Sequence, residues 1–173
     1  MMFFGRKRRK ATDAAVAAMR PLIALTQLTG GMSTTMWQDP YLMGYLGFVA
    51  SFFAKNEVSG NLKPEDLGFA MQDAFSTVSN MNGLAIMASN AELSENRNTA
   101  FAKGLDDAAT VTFYSLGVLK DEALNPLVLE CLEIGEAYSN AMSSQDLRTS
   151  IAGCMMQSTF LNRVKALQDD IYA

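Results

Sequence analysis

The stretch Pro64-Glu-Asp-Leu-Gly-Phe-Ala-Met-Gln-Asp-Ala-Phe-Ser-Thr-Val78 places apolar residues at Leu67, Ala70, Met71, Ala74, Phe75 and Val78. Steps of three and four put all six on one stripe of a helix with 3.6 residues per turn. Pro64 suits the first turn, where its missing N–H costs no hydrogen bond. The same spacing recurs at Leu105, Ala108, Ala109, Thr112, Phe113 and Leu116, and again at Leu147, Ile151, Cys154, Leu161, Val164 and Ile171. No stretch shows the strict alternation of a half-buried strand. The chain reads as all-α.

Punctuation at Gly30-Gly31, Asp39-Pro40, Ser59-Gly60-Asn61, Asn82-Gly83 and Asn125-Pro126 divides it. The expectation is a single-domain helical bundle of six or seven helices, at about 13–29, 40–55, 64–80, 83–91, 95–118, 126–143 and 145–171. Residues 12–173 form the helical domain, and residues 1–11 a flexible basic arm outside it.

The second helix differs from the others. Asp39 is a natural N-cap with Pro40 behind it. Trp37, Tyr41, Tyr45, Phe48 and Phe52 form an aromatic line, and Leu42, Leu46, Val49 and Phe53 cover the adjoining face. A helix apolar on nearly all sides is central in a bundle or spans a membrane. The uncharged run from Tyr41 to Ala54 is shorter than the roughly 18–20 residues a span requires. Core is therefore the first reading of the aromatic line; a partner face or an apolar ligand pocket is the second.

Charge is unevenly placed. The first ten residues hold five of the 14 basic residues and none of the 18 acidic ones, so residues 11–173 carry a net −9. That acidic body repels phosphate backbones, and sequence-specific reading of nucleic acid is not expected. Only 18% of residues are charged, against roughly 25% in an average soluble domain. Apolar surface should be left for a protein partner or a second copy.

The basic run Arg6-Lys7-Arg8-Arg9-Lys10 is not the start of an export signal, because Asp13, Arg20 and Pro21 interrupt the apolar region that would follow. A helix N-terminus disfavours cations, whereas Thr12-Asp13 offers a cap and a first-turn acid. The first helix is thus expected to begin after Thr12. Phe3 and Phe4 beside the five charges suit contact with anionic membrane or another polyanion. A solvated terminus, or a latch onto the acidic body, are the other uses of such a run.

Absence of histidine removes histidine-centred triads, Cys/His zinc sites and carboxylate–histidine di-iron pairs. No catalytic residues, metal ligands or cofactors are assigned. Cys131 and Cys154 read as buried thiols, with a disulfide between them left open. Absence of an export signal favours a cytoplasmic, reducing setting. Glu130, Glu133 and Glu136 read as one solvated face, Gly44-x-x-Gly47 as close packing, and the 12 methionines as core filling.

The stretch Pro40–Phe75 resembles, in outline, an EF-hand helix-loop-helix, with Ser59-Gly60-Asn61-Leu62 at the central turn. That resemblance implies a calcium loop, but its first position is the cation Lys55 and its closing glutamate is the shorter Asp66. Calcium binding is not expected. The glycine turn followed by an acidic helix start, together with Phe3-Phe4-Gly5, is also similar to bacterial TerB-like helical domains, whose second acidic motif has no counterpart in this chain. The expected function is a non-catalytic α-helical protein-interaction module, self-associating, with a basic N-terminal arm. The alternative is a helical pocket protein holding a small apolar ligand beside the aromatic second helix.

Overall fold

A computed structural model describes residues 2–58, 62–120, 125–136 and 144–172, and every regular element among them is helical. In order these are α1 (Met2–Thr26), short 3-10 turns at Gln27–Thr29 and Met36–Gln38, α2 (Pro40–Glu57), α3 (Pro64–Ser79), α4 (Gly83–Glu95), α5 (Thr99–Ser115), α6 (Pro126–Glu136), α7 (Ser144–Met156), a π-helical segment (Gln157–Leu161) and α8 (Asn162–Tyr172). Contacts gather in two compact units, Met1–Leu105 and Asp106–Ala173.

Short polar side chains set the helix starts. Asp39 accepts from the Leu42 N–H at 3.0 Å, Asn82 from Leu84 and Ala85, Asn98 from Phe101, and Asn125 from Leu127 and Val128. Each satisfies donors that the first helical turn leaves unmatched. Left-handed Asn80 closes α3, and α4 begins almost at once. The two helices come so close that a Cβ on Gly83 would collide with the Gln72 carbonyl, while the Gly83 N–H donates to Ser76 Oγ at 2.9 Å.

In the first unit α2 is the centre. Tyr41, Leu42, Met43, Tyr45, Leu46, Val49 and Ala50 are all buried along it. Helix α1 packs on α2 and α3 through Ala11, Ala15, Val16, Met19 and Leu22. Ala70, Met71, Ala74 and Phe75 bury the stripe read from the α3 sequence. In the second unit Tyr114, Val128, Cys131, Ile151 and Met155 form a core cluster. Arg148 clamps the end of α5, donating to the Tyr114 carbonyl at 3.0 Å with its guanidinium 5.1 Å from that ring's centre.

The C-terminal stripe departs from the sequence reading. Ile151, Met155, Phe160 and Val164 are buried, whereas Cys154 and Leu161 are half-buried. The step from Met155 to Phe160 is five residues, which the π-helical turn accommodates by rotating the register. Thr159, whose hydroxyl donates to the Met155 carbonyl at 2.7 Å, occupies that turn. The α5 stripe also ends early, because Leu116 is exposed beyond the helix.

The basic run is the main correction. Helix α1 begins at Met2, so residues 2–11 are its first turns and not an arm outside the fold. Thr12 does not cap the helix; its hydroxyl reaches the Ala70 carbonyl of α3 at 3.4 Å. Arg8 donates to Asp73 from Nε and a terminal nitrogen and lies over the Phe69 ring, 4.9 Å from its centre. Lys10 approaches Glu57 at 3.9 Å, and Arg9 approaches Asp13 one turn on. These partners offset the repulsion between cations and the helix dipole. The Arg8–Asp73 pair is partly solvated, so it and the ring contact together contribute about 1–2 kcal/mol. Deleting residues 2–10 should accordingly lower the urea midpoint at low salt, and added salt should narrow the gap. An unchanged midpoint would mean that these turns contribute nothing to the fold.

Candidate functional site

The expected polyanion-contacting residues divide into two groups. Arg8 lies half-buried against α3, while Arg6, Lys7, Arg9 and Lys10 are exposed on α1, with Lys10 3.9 Å from Glu57 of α2. Phe3 and Phe4 have helical backbones, but their side chains lie outside the described residues. The cationic cluster is thus borne on a helix end that Arg8 joins to α3.

Next to it lies an apolar groove that sequence reasoning missed. Glu65, Gly68, Phe69 and Gln72 of α3 and Leu84 and Met87 of α4 line a depression of about 320 Å³. Phe69 and Leu84 are 49% and 59% exposed. The close α3–α4 turn at Gly83 brings these two helix faces together. Arg8, stacked over Phe69, joins the basic helix end to the groove, and Glu65 adds one acid on its rim. The only sequence signal was Phe69 itself, an aromatic residue off the α3 core stripe.

The aromatic line of α2 turns mostly inward. Trp37, Tyr41 and Tyr45 are buried, with the two tyrosine rings 6.3 Å apart. Phe48 and Phe52 are half-buried and stacked at 5.7 Å, and Phe53 meets Phe52 edge-on at 5.3 Å. Three of the five are buried and two half-buried, so they do not form one exposed face. Trp37 borders a cleft of about 300 Å³, with Gln38, Met81, Asn82, Ala85, Ile86 and Ser89 as its other walls. One residue beyond Ser89, Asn90 is buried with no partner for its Oδ1.

Of the calcium-loop positions, Lys55 and Glu57 are exposed at the end of α2 and Asp66 is half-buried in the first turn of α3. Residues 59–61 lie outside the described residues. Among the described residues no three His, Cys, Asp or Glu side chains converge as a metal ion would need, and no helix is long and apolar enough to cross a membrane. Glu130 is exposed, whereas the side chains of Glu133 and Glu136 lie outside the described residues. Cys131 and Cys154 are both free thiols. No family model matches the chain, and neither a curated protein nor a solved structure is found to match it.

Proposed function

We propose that this chain is a non-catalytic α-helical interaction module that associates with a second copy of itself through the α3–α4 groove and the basic end of α1. The observation that carries this reading is the junction of Arg8 with Phe69, which places apolar and cationic surface side by side. A groove of this size takes one or two large side chains from a partner helix. The partner should also bring negative charge, and the chain itself supplies it: residues 11–173 are net −9 while the first ten are +5. Two copies are therefore electrostatically complementary, each offering what the other's helix end attracts. Two cysteines in 173 residues are in keeping with a cytoplasmic, reducing setting.

Sedimentation velocity across a concentration series tests this reading. The weight-average sedimentation coefficient should rise with concentration at low salt. That rise should shrink with added salt as screening shortens the range of attraction to about 10 Å at 0.1 M. Phe69→Asp should weaken association by about tenfold or more, equivalent to roughly 1.4 kcal/mol, while leaving the circular dichroism spectrum intact. A single monomeric species at every concentration and salt level would overturn the proposal. Binding to anionic lipid vesicles without self-association would favour the membrane use of the same helix end instead.

A further inference from the structure

Helix α4 separates two concave surfaces of the first unit. Leu84 and Met87 face the groove shared with α3, whereas Ala85, Ile86 and Ser89, on the other side of α4, face the 3-10 turn that precedes α2. The cleft between α4 and that turn differs in character from the groove. Its inner walls, Trp37 and Ile86, are each only 5% exposed, and none of the seven described residues that line it carries a charge. Gln38 and Ser89 add an amide and a hydroxyl to walls that are otherwise largely apolar. A volume of about 300 Å³ lies at the small end of ligand sites, with room for a small ring system but not for a helix.

Beside the inner wall stands an unmet hydrogen-bond acceptor. Asn90 is 8% exposed, and its Oδ1 has no partner. Asn90 follows Ile86 by one turn of α4, which puts their Cβ atoms about 5–6 Å apart on the buried side of the helix. Its amide nitrogen lies toward α2, within 3.9 Å of where a Cβ on Gly47 would be. A buried carbonyl oxygen without a donor is destabilising, and a ligand that brings a donor relieves it.

We propose that the Trp37–Ile86 cleft binds a small, neutral, planar aromatic molecule whose ring lies against the Trp37 indole and whose N–H donates to Asn90 Oδ1. The uncharged walls select a neutral ligand, because a carboxylate or ammonium would lose hydration there with no opposite charge to offset it. The indole favours a ring through offset or edge contact. The site lies on the side of α4 away from Phe69, so this binding does not depend on self-association through the groove.

Trp37 is the chain's one tryptophan, so its fluorescence reports on the cleft directly. Benzamide, neutral and bearing an N–H donor, is the probe; benzoate, of the same size but charged and without a donor, is its control. Titrating the folded full-length chain with benzamide should give a saturable change in Trp37 emission, with a midpoint of about 1 mM or below for a ligand of this size. Benzoate should bind at least about tenfold more weakly. Ala85→Phe, which fills the cleft from an exposed position, should abolish the saturable change while leaving the circular dichroism spectrum intact. Asn90→Leu should weaken benzamide about 3–10-fold, the worth of one hydrogen bond, without lowering the melting temperature. If either variant fails to fold, the comparison of benzamide with benzoate on the wild-type chain decides. A change that grows linearly with benzamide without saturating, equal binding of benzoate, or undiminished binding by folded Ala85→Phe or Asn90→Leu would each overturn the proposal.

Discussion

Gly44→Ala and Gly104→Ala should each destabilise the protein by about 2–4 kcal/mol in urea unfolding, although alanine is the better helix former by roughly 1 kcal/mol. The reason is a reciprocal approach of two backbones. A Cβ on Gly44 would run into the Phe101 carbonyl of α5, and one on Gly104 into the Tyr41 carbonyl of α2. Neither obstacle is the end of a side chain that could swing aside. The helices would have to part, loosening Tyr41, Tyr45 and Phe101 with them. Gly153→Ala is the matched control, because a Cβ there meets nothing within 4 Å. It should stabilise by roughly 0.5–1 kcal/mol. The same chemical change thus takes opposite signs according to what stands opposite the glycine. Equal stabilisation at all three positions would show that α2 and α5 do not cross at these residues.

Phe75→Ala should cost about 3–5 kcal/mol, the range for truncating a buried phenylalanine. Phe75 is fully buried in the α3 stripe beneath α1 and α2, so the substitution removes apolar contact and leaves a cavity. Phe48→Ala is the informative comparison. Phe48 belongs to the aromatic line of α2, yet it is half-buried and stacked on Phe52. Its loss should cost about 1–2 kcal/mol, in keeping with partial burial plus one ring pair. Urea midpoints at unchanged m-value provide the measurement. A Phe48 cost equal to that of Phe75 would place both rings in the closed core.

Periodicity and capping chemistry were written in the chain. The α3 stripe came from spacing alone, and Asp39, Asn82 and Asn125 mark helix starts because each side-chain oxygen meets an N–H only two or three residues away. Such interactions need no distant partner, so sequence suffices to read them. The basic run is the opposite case. Local physics alone, cations at the positive end of a helix dipole, argues for a start after Thr12. Asp73, 65 residues from Arg8, changes the outcome together with Phe69 and Glu57. The groove and the reciprocal Gly44 and Gly104 contact arise in the same way. Each depends on which helix faces which, and a single chain pattern permits many pairings. The sequence determined that this protein is helical and, where a local cap marks the start, where its helices begin. Only packing between distant segments decided which charges were paired and which apolar faces were left open.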